Sequence, residues 1–267
     1  MLLLAAFVVE ARAQEPLIPL ALFRSREFMG ANLLTFCLYA ALGGALFYLP
    51  LNLIQAQGYT PTHAGAAALP LVVLMFLLSR WSGGLMSRYG ARGPLVVGPL
   101  IAAVGYVMLA RPGVGGAYWT TYFPAVLLLG FGMAVSVPPL TTVVMSSVAE
   151  SRTGAASGVN NAVAQMASLL ALAVFAPVFF HAFSSALPRR LASAQVSQET
   201  VRKVVDQRER LGAIETTDHS ARLAVDEAFV TGFRVVTLAA AGLCIVASVS
   251  AAATMQSRSV RSGQDMF

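Results

Sequence analysis

The sequence has 267 residues, of which 57% are hydrophobic and only 11% charged, with a formal net charge of +6. Soluble domains carry roughly 25% charged residues, so this composition and a mean hydropathy of +0.71 point away from a water-soluble fold and toward an integral membrane protein. The positive balance does not point to nucleic acid, because the basic residues are scattered between apolar spans with no basic stripe interleaved with aromatics; in a membrane protein such charge sets topology.

Several apolar runs are long enough to cross a bilayer. They are continuous rather than alternating, which predicts helices and not a barrel. The expected class is all-α integral membrane, a six-transmembrane-helix bundle preceded by an N-terminal helix stub. Residues 1–14 admit two readings: a secretory signal cleaved after Ala11-Arg12-Ala13, or the tail of a longer helix whose start lies upstream. The short apolar part and the absence of a basic n-region favour the second.

A Pro-containing link with Arg24 and Arg26 occupies 15–27, and five membrane helices are expected within 28–183. The first span is predicted over about 28–53, with Gly43-Gly44 inside it and Asn52 near its end. The second covers about 62–86, interrupted by Pro70. Arg80 near its end either lines a pathway or snorkels to the interface, and position favours snorkelling. The third, about 94–110, is short: at 1.5 Å per residue it reaches about 26 Å. The loop after it carries Tyr118, Trp119 and Tyr122, consistent with an interfacial aromatic belt. The fourth and fifth spans are expected over about 123–148 and 155–183.

Composition then changes. Residues 184–227 hold both signs of charge and are predicted to form a polar loop, with Val201, Val204, Val205 and Leu211 suggesting a short amphipathic helix. A sixth span is expected within 228–255, beginning near Phe229, and 256–267 form a tail. If the faces alternate, Arg12, Arg24, Arg26, Arg88, Arg92, Arg152, Arg258 and Arg261 fall on one side, while the short loops of the other carry only Arg111. This places both termini and the turns at 87–93 and 149–154 in the cytoplasm, and the long loop outside.

Three stretches carry mechanism. Gly83, Arg88, Gly90 and Arg92 lie in one tight turn; the glycines permit close helix approach, and the arginines can bind the negative end of a neighbouring helix and act as a gate latch. The plain alternative is a topology anchor. Gly130, Gly132, Pro138 and Pro139 deform the fourth span and make it a candidate hinge. Polar groups inside spans face protein rather than lipid, so Asn32, Tyr39, Asn160, Asn161 and Gln165 are the substrate-pathway candidates; interhelical hydrogen bonding is their alternative role. Asn161 and Gln165 are four apart and share a face. Phe47, Tyr48, Met75 and Phe76 either line an aromatic cavity or, as apolar membrane residues usually do, face lipid or pack.

The run Gly83-x-Leu85-x-Ser87-Arg88-x-Gly90-x-Arg92 resembles the cytoplasmic loop signature of the major facilitator superfamily, with Ser87 where that signature often has an acid. Gly130-Phe131-Gly132 through Pro138-Pro139-Leu140 is similar to the Gly/Pro helix of its antiporter branch. Arg152 through Asn161 resembles the following segment in fourteen-helix drug:proton antiporters; Ala164 stands near where an arginine is usual, and Leu169 and Leu170 where glycines are. The resemblance runs from about Pro16 to Met255 and matches the C-terminal half of that fold, one of two halves that rock about a central cavity. It implies a secondary active exporter of drugs or other small molecules, not an enzyme, needing no cofactor. Its partners would be the lipid bilayer, a small-molecule substrate, a proton gradient, and an N-terminal half or another copy of the chain.

No Asp or Glu lies mid-span, so any coupling carboxylate is expected in the N-terminal half; His181 is the titratable group within reach. The sequence contains no metal-spaced His/Cys cluster, P-loop or nucleophile elbow. The competing reading is a non-transporting membrane fragment or scaffold. Met1 inside an apolar run leads us to expect the true start upstream.

Overall fold

Long apolar segments that must satisfy every backbone group without water have one open-chain solution, the α-helix, and the computed structural model has nine α-helices and no strand among the described residues, 22 and 24–255. In chain order they are α1 Arg26–Gln55, α2 Pro61–Ala66, α3 Leu69–Tyr89, α4 Arg92–Leu109, α5 Tyr118–Thr121, α6 Phe123–Ser146, α7 Thr153–Ser193, α8 Gln198–Asp206 and α9 His219–Thr254. Among the described residues six segments are long and apolar enough to cross a membrane: α1, α2 with α3, α4, α6, α7 with the 3-10 turn before it, and α9. The stub at 1–14, most of the link at 15–27 and the tail at 256–267, with Arg12, Arg258 and Arg261, lie outside the described residues, as do the side chains of Ser87 and Arg88.

Local chemistry sets the helix ends. Ser25 caps α1 by accepting from the Phe28 N–H at 3.2 Å. Thr60 caps α2, with Pro61 at its first position. The second span is not one helix: it breaks between Ala66 and Leu69, because Pro70 cannot donate and disfavours helix at the residue before it. Gly90 ends α3 at φ 70°, ψ 178°, a conformation costly for other residues, and so turns the chain sharply into α4.

The largest difference from expectation lies at 184–227, which is mostly helical rather than a loop. α7 runs on through Ser193 and α9 starts at His219. The fall in hydropathy does not mark where the helix ends. Beyond that point the two helices bury Phe183, Ala186, Leu187 and Leu191 on α7, and Ala221, Ala224, Val225 and Ala228 on α9, each a stripe at helical spacing. Between them α8 buries Val204, and Gly212 packs on Gln55 at the end of α1. That segment therefore packs on the end of the bundle.

The packing has an internal symmetry. α1 packs on α9 as α6 packs on α4; α3 packs on α6 as α7 packs on α1; α4 and α9 pack on each other. Exchanging the first three spans for the last three preserves these pairs, and the odd offset reverses direction across the membrane, the signature of inverted repeats. The symmetry fails at one place: α7 and α9 pack closely through their extensions, while α3 and α4 barely touch. Accordingly only 17% of the residues in the most apolar 18-residue stretch of the α2–α3 span are buried, and 28% in that of α7, against 61% in α6.

Candidate functional site

α1 and α7 run in the same direction and meet along small residues. A Cβ at Gly43 would lie 2.8 Å from Ser168 Cβ, and one at Gly44 would overlap the Phe175 ring. This close approach aligns a row of polar groups in an otherwise apolar interface. Ser168 Oγ donates to the Tyr39 carbonyl at 3.3 Å. One end of the row holds Thr35, fully buried, with Oγ1 2.6 Å from Asn160 Oδ1 and 3.0 Å from the Ala31 carbonyl. A hydroxyl has one proton, so Thr35 serves one acceptor at a time, unless the Asn160 amide turns its NH₂ toward it.

Three residues before Thr35 on the same helical face stands Asn32, 8% exposed. Its Nδ2 donates to the Phe28 carbonyl at 2.9 Å, while its Oδ1 is buried without a partner. An unpaired buried acceptor costs about 1–3 kcal/mol, so this end of the seam favours any group that brings a donor.

The five pathway candidates therefore divide. Asn32, Tyr39 and Asn160 border the α1–α7 seam, with Tyr39 and Asn160 half-buried. Asn161 and Gln165 lie on the exposed face of α7 beside Met166, Leu169 and Leu170. Of the aromatics, Tyr48 is buried and stacks on Phe179 at 4.8 Å, whereas Phe47 is half-exposed and Phe76 80% exposed. Met75 is half-buried against the core.

The hinge candidates sit where α6 is squeezed. A Cβ on Gly132 would be 2.6 Å from the Ala102 nitrogen, and one on Gly130 3.0 Å from Leu71 Cα, so α6 touches α4 and α3 through bare backbone. Pro138 and Pro139 lie inside a helix that stays continuous to Ser146. In the gate stretch, a Cβ at Gly83 or Gly84 meets nothing within 4 Å. Arg92 donates through Nη2 to the Ala252 carbonyl at 2.9 Å, near the end of α9.

Sequence reasoning passed over three side chains. Thr35 gave no signal; a threonine in an apolar helix is common. Arg234 is a lone arginine in the sixth apolar run, a signal that was available; its Nε donates to the Ala110 carbonyl at 2.7 Å. Arg222 donates to the Gly212, Ile214 and Gln55 carbonyls at 3.0, 3.3 and 2.7 Å and lies 3.0 Å from Asp226, an ion pair rather than an aligned hydrogen bond. It borders a surface cavity of about 680 Å³ that Gln55, Lys203, Gln207 and Asp218 also line.

At this end of the bundle the aromatic cluster is partly built in. Tyr118 Oη donates to the Ala67 carbonyl at 2.7 Å, and its ring meets Trp119 at 5.4 Å. Asn52 Nδ2 donates to Tyr122 Oη at 3.2 Å. Burial pushes the Tyr122 phenol up to about 12, the Asn52 bond opposing it and nearby Tyr59 adding to it. Lys203, bonded to Glu199 at 2.6 Å, holds that exposed carboxyl below its ordinary value. His181 is exposed, and Cys37 and Cys244 are buried free thiols.

The arrangement has recognisable counterparts. The chain is 28% identical over 255 residues to the tetracenomycin C resistance and export protein of Streptomyces glaucescens, covering 91% of this chain and 46% of that protein. It is 33% identical over 177 residues to the lincomycin resistance protein of Streptomyces lincolnensis, 66% of this chain and 37% of that one. It is 29% identical over 254 residues to the multidrug resistance protein Stp of Mycobacterium tuberculosis, 88% of this chain and 46% of that one. The chain thus spans less than half the length of these curated relatives. Its fold matches a bacterial homolog of the human lysosomal transporter Spinster, solved inward-facing and unoccupied, with TM-score 0.63 and 16% identity over 88% of this chain and 50% of that one. The sequence model of the Major Facilitator Superfamily matches residues 5–172. Six apolar membrane-length helices, this fold and that match together establish that the chain is a multi-pass membrane protein belonging to the Major Facilitator Superfamily.

Proposed function

We propose that this chain is one six-helix half of a secondary active exporter of drugs or other small molecules, the C-terminal half of a fourteen-helix antiporter, resident in the cell membrane with both termini cytoplasmic. The single observation that carries the reading is the likeness to three resistance proteins, one of them named for export, over up to 91% of this chain but under half of theirs. The poorly buried apolar faces of α3 and α7 support it, since a second six-helix unit would cover them. The α1–α7 seam supports a pathway at its polar end, with Asn32, Tyr39 and Asn160 bordering it and Asn161 and Gln165 facing the partner unit. Gly83, Arg88, Gly90 and Arg92 form the cytoplasmic gate, with Arg92 anchoring its fixed side to α9, and Gly130, Gly132, Pro138 and Pro139 the flexing part of α6.

Because no carboxylate stands mid-span among the described residues, proton coupling is assigned to the partner half. The domain limits 28–183, 184–227 and 228–255 translate into five spans, an external helical cap and a sixth span. The test is dye efflux from a drug-sensitive host expressing this chain with its companion half, measured before and after the proton gradient is collapsed. Gradient-dependent efflux that falls in an Asn160→Ala variant is the expected result. Efflux indifferent to the gradient would remove proton coupling. Absence of efflux from well-inserted protein would remove the exporter reading, leaving a scaffold.

A further inference from the structure

α4 and α9 lie antiparallel, and three side chains cross between them to main-chain carbonyls. Arg92 on α4 donates to Ala252 O at 2.9 Å, Ser248 on α9 donates to Val96 O at 2.9 Å, and Arg234 on α9 donates to Ala110 O at 2.7 Å. All three keep one register. The step on from 92 to 96 equals the step back from 252 to 248, and the step from 96 to 110 equals that from 248 to 234. At 1.5 Å per residue the outer two bonds are about 27 Å apart, close to the ~30 Å hydrocarbon thickness.

The two arginines are reciprocal. Ala252 lies in the last turn of α9, and Ala110 is the C-terminal cap of α4. Carbonyls at such positions lack intrahelical partners and carry the helix's partial negative charge. Each helix therefore sends a guanidinium to the other's C-terminal end, and buried Ser248 adds a third bond one turn in from Arg92. A one-turn slide would break all three bonds together, and the buried Ser248 would find no replacement partner in an apolar interface.

We infer that Arg92, Ser248 and Arg234 are positioning residues that hold α4 and α9 as one rigid strut, about which the other helices of this half move. The loose boundary is on the opposite side of α4. α3 precedes it in sequence yet scarcely touches it, and a Cβ at Gly83 on α3 would meet nothing within 4 Å.

The test needs no transport activity, so it can succeed or fail whether or not the chain proves to be part of an exporter. The full chain is placed in lipid nanodiscs with spin labels on Val97→Cys and Leu238→Cys, exposed positions on α4 and α9, and in a second sample on Val73→Cys and Val97→Cys, reporting α3 against α4. The native cysteines are buried and stay unlabelled. Pulsed electron paramagnetic resonance should give one narrow α4–α9 distance and a broader α3–α4 distribution. Arg92→Met with Arg234→Met should add a longer α4–α9 component without altering α3–α4, and the Lys pair should restore the single distance. If the double Met variant cannot be purified, Arg234→Met and Ser248→Ala are each read the same way. An α4–α9 distribution as broad as α3–α4 in the unmodified chain, or one unchanged by the substitutions, overturns the inference.

Discussion

Gly132→Ala isolates the physical role of the fourth span's glycines. The added Cβ would lie 2.6 Å from the Ala102 nitrogen and 2.7 Å from the Gly98 carbonyl oxygen, with Ala102 Cα at 3.0 Å. All three neighbours are backbone of α4, so no side chain can rotate away and the two helices must separate. Overpacking of this kind costs about 1–3 kcal/mol, while replacing a helical glycine returns about 0.5–1 kcal/mol. The net loss is up to about 2.5 kcal/mol, or up to about 10 °C in melting temperature for a chain of this size. Gly83→Ala is the internal control: nothing lies within 4 Å of its Cβ, so only the helix-propensity gain remains and the midpoint should hold or rise. Thermal unfolding of both variants in detergent, followed by tryptophan fluorescence, separates the two cases. A Gly132→Ala protein that melts at or above the unmodified chain, while Gly83→Ala melts below it, refutes the close-approach reasoning. Gly83 carries a second reading: if a companion half covers α3, the same Gly83→Ala change should lower efflux by the assembled transporter despite leaving this chain stable.

Three further outcomes are expected. Arg222→Met removes donors to three carbonyls and the counter-ion of Asp226; with the Arg222 side chain 37% exposed, solvent screening limits the loss to about 1–3 kcal/mol, and hydrogen exchange should quicken over 208–217 while α4 and α6 stay protected. Asn160→Ala should cost less than about 1 kcal/mol, because Thr35 can still donate to Ala31, yet should lower efflux; equal losses in both readouts would reduce Asn160 to interhelical glue. The Tyr122 phenol is held up at about 12 against an ordinary value of 10.0, so above that ordinary value the unfolded chain releases the proton first. Stability should therefore fall as pH rises from about 10 to about 12, and Tyr122→Phe should flatten that stretch of the melting-versus-pH curve.

Hydropathy located the membrane segments because lipid imposes one demand on all of them: long apolar length with an internally bonded backbone. It misplaced the ends of α7 and α9 for the same reason, since helix continuation through Ser193 and from His219 depends on those two helices burying one another. The break at Ala67 and Ala68 was partly legible in Pro70, and Gly90 in the turn chemistry of its surroundings. Arg222 was illegible: an arginine in a charge-rich stretch looks solvated until Gln55, far away in sequence, appears beneath it.

Asn32 and Asn160 were both visible as polar residues in apolar runs, but 125 residues separate Asn160 from its partner Thr35. Pairing across that interval is fixed by Gly43 and Gly44 drawing α1 against α7. The sequence by itself determined the solvent of this polypeptide, the six membrane-length segments of its described residues and its family signatures, because composition, run length and short motifs are local properties. Which polar groups meet, which arginines close which helix ends, and which faces of α3 and α7 stay uncovered were decided only by the tertiary structure, because each depends on the register between helices distant along the chain.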